Sequence, residues 1–456
     1  MREDASAILE NDKTLSLILK FAAPTIVSFL INSFYNIVDQ IFIGYGVGIA
    51  GNAATNIVYP VTTFTIAVSA LIGDGAATYF SLNLGKKQPE QAVRCAWTAL
   101  TLSVISSLII LICGQTFTEP LLHFLAATSS VFNLAKQYLR ITLLGIPFVI
   151  TSTVLSGLIR ADGSPRYAMF CMLPGCFLNV ILDAVFVLGF HWGMSGAAWA
   201  TVLGQMLNFL VAVVYIPRFQ TISFSWQISL EKGYLFSWKT ACEFLYMGIA
   251  GFINQFSGTV YTVVVNHYLK TYGSMSIYGA DITMAAYGIV MKVNQIIMSI
   301  LNGVSTGMQP IVGYNYGKQN YKKVKACLKT GVTVATICGI TAFLIFQILP
   351  ETIMRVFGQP DKLYIEFGAK CFRIFLLAVP LYGFSVVTTG LFQTIGKPIH
   401  ATFMALSRQI LYLIPLIMIL TPIFGITGLL WSSPISDVVA FITCLILYLR
   451  EIRSLV

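Results

Sequence analysis

The sequence breaks into twelve apolar runs, each long enough to cross a bilayer, separated by short polar loops. A spanning helix needs about 20 mostly apolar residues. Runs of that length fall at roughly 15–44, 53–84, 91–114, 131–158, 166–189, 193–217, 237–270, 281–316, 321–347, 364–393, 398–420 and 425–450. Of all residues, 57% are hydrophobic and 10% charged, where soluble domains carry about 25% charged residues. The expected fold class is therefore all-α and integral to the membrane, with twelve transmembrane helices. The net charge of +10 sits in short loops, where it orients the spans and does not call for nucleic acid as a partner. No cleavable signal peptide is read at the start: MREDASAILENDKTLSLILK is polar, and its apolar continuation outruns an h-region.

Basic residues collect on one side of the bilayer. They are Arg2, Lys13 and Lys20, then Lys86, Lys87 and Arg94, then Arg160 and Arg166, then Arg218, Lys232 and Lys239. The same side continues with Lys318, Lys322, Lys323, Lys325 and Lys329, then Lys397 and Arg408, then Arg450 and Arg453. The opposite loops 45–52 and 421–424 have no Lys or Arg, and 115–130 holds only Glu119 as a formal charge. Positive loops stay inside, so both termini are expected in the cytoplasm.

The two halves repeat each other at an offset of 232 to 233 residues. LGKKQPEQAVRCAWT (84–98) aligns with YGKQNYKKVKACLKT (316–330), GLIRADGSP (157–165) with GLFQTIGKP (390–398), and SGAAW (195–199) with TGLLW (427–431). Arg140 and Pro147 match Arg373 and Pro380. Chance likeness between apolar helices does not keep Gly, Pro, Trp and loop residues in register at separate places. Six spans per half is an even number, so the halves share one orientation: a parallel repeat about an axis along the membrane normal. The expected organisation is an N-terminal lobe at 1–217, a cytoplasmic linker at 218–236 and a C-terminal lobe at 237–456, facing each other across a central cleft.

Polar residues inside the spans mark where function resides. Helix 1 (PTIVSFLINSFYNIVDQIFIG) places Ser28, Asn32, Tyr35, Asn36 and Asp39 on one face. An aspartate near the middle of a span costs about 2.5–3.5 kcal/mol on insertion scales, so it marks a site unless it is paired structurally. Helix 5 places Asn179 and Asp183 at i, i+4, helix 6 adds Thr201 and helix 4 adds Tyr138. Should Asp39 and Asp183 meet, their like charges favour holding a proton between them. Two carboxylates with amide and hydroxyl oxygens equally suit a bare Na+. No resident cofactor or metal is expected beyond such a coupling ion.

The polar stripe of helix 7, Asn254, Gln255, Gly258, Tyr261 and Thr262, has no acid inside the span. LLAVPLYGFSVVTTGLF of helix 10, with Tyr382, Ser385 and Thr388, has no carboxylate, so coupling is expected in the first lobe. Helix 8 carries Met284, Met291 and Met298 at seven-residue steps, with Asn294, Gln295 and Asn302 nearby. Methionines suit promiscuous apolar sites, although such a stripe equally serves packing. Lys292 is expected to snorkel or to pair with an acid, and Asp74 and Asp437 to be structural or gating residues. The nine cysteines show no CxxC pair and read as small core residues; the four histidines are scattered.

This ordered set resembles the multidrug and toxic compound extrusion (MATE) family, in its bacterial MepA/DinF-like branch. The residues that carry the likeness are APTIVSFLINSFYNIVDQIFIG, the LGKKQPEQA/YGKQNYKKV pair, GLIRADGSP with GLFQTIGKP, NVILD in helix 5 and SRQILYLIPL at 407–416. The resemblance spans essentially the whole chain. It implies a monomeric secondary antiporter of the bacterial inner membrane that exports amphipathic, often cationic drugs in exchange for H+ or Na+ by alternating access. It also implies a cation site at Asp39, Asn179, Asp183 and Thr201 with Tyr138 close by. Asn32, Tyr35, Asn36, Gln255, Tyr261, Met284, Met291, Asn294 and Met298 would line the substrate cleft. Pro24 matches a helix 1 proline associated with bending. Some members carry acids in helices 7 and 10; here Gln255 stands in helix 7 and no acid in helix 10.

Two other classes compete. A flippase for a lipid-linked or polysaccharide precursor would line its cleft with Arg and Lys for phosphates, whereas the polar faces here are neutral or acidic. A membrane enzyme would need a His/Asp or Cys/His cluster near the interface, and none is apparent. A channel filter such as TVGYG is also missing.

Overall fold

The structure is a computed structural model that describes residues 14–125, 129–222, 233–357 and 362–454. Among these residues every regular element is helical. We number the spans α1 (Thr14–Gly46), α2 (Ile49–Gly85), α3 (Pro89–Thr116), α4 (Ser129–Leu143 and Ile146–Ala161), α5 (Pro165–Gly189) and α6 (Gly193–Val213). The second half follows with α7 (Trp238–Ser274), α8 (Gly279–Gly317), α9 (Tyr321–Ile348), α10 (Lys362–Phe375 and Val379–Thr394), α11 (Pro398–Phe424) and α12 (Ile426–Ser454). Nine of these are long and apolar enough to span, and the two bent pairs bring the number to eleven. The remaining one, α7, has the length at 37 residues but is more polar. Arg2, Lys13, Lys232 and most of the expected linker lie outside the described residues.

The sequence predicts unbroken spans at 131–158 and 364–393; both are broken. The two pieces of α4 meet at 48° and those of α10 at 52°. Pro147 and Pro380 stand at the second position of the later pieces, where a residue without an N–H cannot continue the ladder from the preceding helix. The repeat thus preserves a bend as well as a sequence.

Within the first half, α2 packs on α3 and α4, and α6 on α4 and α5; within the second, α9 packs on α8 and α10, and α11 on α7 and α12. The halves join chiefly through α2 against α7 and α1 against α8. Those close approaches lie toward the end of the bundle that carries the 86–88 and 318–320 loops. A Cβ on Gly248 would stand 1.8 Å from the Leu71 carbonyl oxygen, and one on Gly75 2.1 Å from that of Phe244. Only glycine lets α2 and α7 touch backbone to backbone here. Tyr79 donates to Glu243 across the same seam at 2.7 Å. The linker is pinned at both described ends. Asp162 accepts from the Gln220 and Thr221 amides and from Tyr215, and Thr101 donates to the Leu235 carbonyl.

Toward the far end the halves part. Asn36 on α1, Asn254 and Thr262 on α7, and Lys292 and Gln295 on α8 are exposed, and added Cβ atoms on Gly258 and Gly288 would meet nothing. Polar side chains in mid-span avoid lipid, so these faces line an open cleft. Gly248→Val is expected to wedge the seam open. Spin labels at Lys86 and Lys322 should then move apart, and an unchanged distance distribution would show that the seam does not hold the halves together.

Candidate cation and substrate sites

The first half gathers its polar residues at one buried point. Asp39 is 9% exposed, Asp183 0%, Asn179 1% and Thr201 9%. A Cβ on Gly175 would lie 2.2 Å from the Gly204 carbonyl oxygen, so α5 and α6 approach closely enough to bring Asn179 onto Thr201. With its amide oriented to satisfy both ends, Asn179 donates to Asp183 Oδ2 at 3.1 Å and accepts from the Thr201 amide at 3.1 Å. The Asp39 and Asp183 carboxyls come within hydrogen-bonding reach of each other. Tyr35 and Tyr138 face the pair, and the Tyr138 hydroxyl reaches Thr201. One oxygen of each acid, Asp39 Oδ1 and Asp183 Oδ1, is buried with no protein partner. Such an orphaned oxygen is costly unless it meets a proton or a cation. Asp183 is the last residue before a π-helical turn, Ala184–Gly189, a local rewinding often found beside functional groups.

Substrate-face residues divide. Asn36, bonded through its side chain to the Asn32 carbonyl at 2.6 Å, and Met284 are exposed on the cleft side, while Asn32, Gln255 and Met291 are half-buried. Met298 packs against a core cluster shared by α1 and the second half, and Asn294 is buried at 8% with its carbonyl oxygen unpartnered, whereas its neighbour Gln295 is exposed. Tyr261 is not on the cleft: it is buried in the second half with its hydroxyl bonded to that of Tyr287. It shares a face with Asn254, seven residues before it, but about two turns further along α7 that face is covered by α8 through Tyr287. Pro24 lies inside α1, which runs on unbroken; Thr25 and Ser28 hydroxyls donate to the Phe21 and Pro24 carbonyls.

Of the remaining intramembrane charges, Arg408 departs from its expected place. Arg408, counted by sequence with the loop cations, lies inside α11 and donates from Nε to Asp437 Oδ1 at 2.6 Å. Its guanidinium stacks 3.8 Å from the Tyr382 ring centroid. The signal was legible: an arginine ten residues past Pro398, within an apolar run. Asp74 faces Arg160 of its own half and reaches Gln393 of the other, at the sealed seam. Arg160 and Gln393 occupy matching positions of the repeat. Lys292 is exposed, and among the described residues no carboxylate bonds it.

The comparisons with known proteins fit this geometry. The family profile described as MatE matches residues 24–185 and 249–419, one copy in each half. The chain belongs to the MatE family. The MatE chain is 27% identical over 450 residues to the multidrug export protein MepA of Staphylococcus haemolyticus (strain JCSC1435), covering 98% of this chain and 96% of that one. It is 26% identical over 457 residues to MepA of Staphylococcus aureus (strain MRSA252), covering 99% and 98%. Among solved structures, it superposes with a TM-score of 0.91 on an outward-facing multidrug resistance MATE family transporter of the MOP superfamily, at 21% identity and covering 99% and 98% of the two chains. A MATE in complex with MaD3S matches with the same score and identity, covering 99% of both chains. These likenesses place the MatE chain in the two-lobed fold that its repeat predicts.

Proposed function

We propose that this MatE chain is a secondary multidrug exporter that carries amphipathic, often cationic small molecules out of the cell in exchange for a cation, by alternating access. The full-length likeness to proteins named as multidrug exporters supports the cargo class. The observation that carries the coupling is the Asp39–Asp183 contact. Two carboxyls in mutual hydrogen-bonding reach are best satisfied by a proton or another cation held between them, and separating them changes what α1 and α5 can hold. Protons are the leading coupling ion. Na+ is the second reading, with Asp39, Asp183 and Thr201 supplying oxygens. The protein acts as a monomeric transporter and not as an enzyme, with its lobes at 1–217 and 237–456 and the linker at 218–236.

In this reading the basic-loop end faces the cytoplasm of a bacterial inner membrane, so the sealed seam is cytoplasmic and the cleft opens outward. For an uncharged cargo, return of one cation through 100 mV contributes about 2.3 kcal/mol, enough for about a fiftyfold concentration ratio. One-for-one exchange of a monovalent cationic cargo moves no net charge and is driven by the ion's concentration gradient. Purified protein in liposomes, given ethidium and an imposed proton gradient or Na+ gradient in turn, tests it. Ethidium should move against its gradient under the proton gradient. No ethidium flux under either gradient would overturn the reading, and flux under Na+ alone would reassign the ion.

A further inference from the structure

The second half contains a buried polar centre on the same helices of the repeat as the first, displaced along them. At an offset of 222, LINSFYNIVDQIFI (30–43) aligns with FINQFSGTVYTVVV (252–265), which sets Tyr261 at the position of Asp39. The stretch from there to the loop after α8 is ten residues longer than its first-half counterpart, which brings the later offset to 232. Burial follows that register: Asp39 and Tyr261 are buried, as are Ile43 and Val265, while Phe34 and Phe256 and Ile41 and Val263 are exposed. Around Tyr261 stand Tyr287 from α8, Tyr382 from α10, Arg408 from α11 and Asp437 from α12. By the repeat offset of 232 to 233, Asn179 corresponds to Tyr412 and Thr201 to Ser433. Arg408 and Asp437 each sit one turn from those counterparts. Both centres also adjoin a π-helical segment: Ala184–Gly189 follows Asp183, and Ser407–Leu413 contains Arg408.

Their charge states differ. In the first half two acids face each other with an unpartnered oxygen each and no basic side chain among their neighbours. In the second the single acid is bonded to a guanidinium, with side-chain exposures of 19% and 4% for Arg408 and Asp437. The groups facing the pair are Tyr261, Tyr287 and Tyr382, with Cys371 of α10 behind Tyr287. None supplies a second carboxylate. A guanidinium stays protonated through the physiological range and cannot leave, so the site it fills is closed to exchangeable cations.

We propose that Arg408 is a covalently tethered substitute for a coupling cation: it keeps the second lobe's acid permanently neutralised, so that this lobe takes no ion and the exchange is driven from the first lobe alone. This rests on the reading of Asp39 and Asp183 as the coupling pair. It also explains why α7 and α10 bring no acid to this centre, their glutamates Glu243 and Glu366 being bonded elsewhere to Tyr79 and Lys370, since a free carboxylate would demand an ion that the tethered charge already provides. Arg408 is on this account a positioning residue for coupling and touches neither drug nor ion.

The test removes the tether. In liposomes the cation count per ethidium is read from the ethidium gradient at which net flux reverses under a fixed ion gradient. Arg408→Met should move one more cation per ethidium than the unaltered protein. Its thermal stability in NaCl against choline chloride, or across a proton titration, should gain a cation dependence that Arg408→Met/Asp437→Asn lacks. The double variant, with the centre neutral again, should return to the unaltered count. An unchanged count in an active Arg408→Met, or loss of coupling in the folded double variant, overturns the proposal. Where Arg408→Met fails to fold, the double variant and Arg408→Lys decide: both should keep the unaltered count, and a changed count in either refutes the tether. Failure of the first-lobe reading shows separately, as full coupled efflux by Asp39→Asn.

Discussion

Asp39→Asn is expected to reduce proton-driven ethidium efflux in liposomes to the level of protein-free vesicles, while yield and thermal stability stay near those of the unaltered protein. The asparagine keeps the size of the side chain and can still hydrogen-bond to Asp183, so α1 and α5 keep their packing. What it removes is the acid that has to lose and regain a positive charge at a site 9% exposed between two helices. Asp183→Asn should do the same for the same reason, since Asp183 is the other member of the proposed coupling pair and receives the Asn179 amide. Binding would survive better than exchange, so ethidium affinity measured by fluorescence polarisation should fall less than the transport rate. Full coupled efflux by the purified Asp39→Asn protein would remove the acid from the mechanism.

Asp437→Asn should behave in the opposite way. Arg408 loses its only described carboxylate and remains buried with an uncompensated charge, which costs about 3–5 kcal/mol when one member of a buried pair is removed. Expression and thermal stability should drop sharply, yet the fraction that folds should still couple efflux to protons through Asp39 and Asp183. Arg408→Gln should be comparably damaging, and the double change Arg408→Gln/Asp437→Asn should recover most of the loss, because a neutral pair needs no counter-charge. The comparison to make is rate per folded molecule beside melting temperature for Asp183→Asn and Asp437→Asn. Equal loss of rate per folded molecule would contradict the division of labour between the lobes.

The contrast between these two aspartates shows how far a linear reading reaches. Each is an acid in an apolar run, and each therefore signals a buried partner of some kind. Spacing alone joined Asn179 to Asp183, because i, i+4 on one helix is a local fact. Nothing local joins Asp183 to Asp39, or Asp437 to Arg408, since those pairs lie on helices far apart in sequence. Positive charge near the end of a span normally belongs to the interface, which is where sequence alone puts Arg408; a partner 29 residues later, at 2.6 Å, holds it inside instead. Periodicity groups Tyr261 with the polar cleft face of α7, and only the packing of α8 over it, through Tyr287, takes it into the lobe. The bends in α4 and α10 were written in Pro147 and Pro380 but read as continuous spans, because apolarity runs straight across them.

The sequence by itself determined the number and length of the spans, the two-fold repetition of the half and the presence of acids that lipid would not tolerate. Hydrophobic length, periodicity and the insertion cost of charge are properties of a segment wherever it goes. Only the tertiary structure decided which charges meet: a bare acid pair in one half, a neutralised acid in its twin. That choice depends on contacts between helices, where the energy of a buried charge is set by what faces it across the packing and not by what precedes it in the chain.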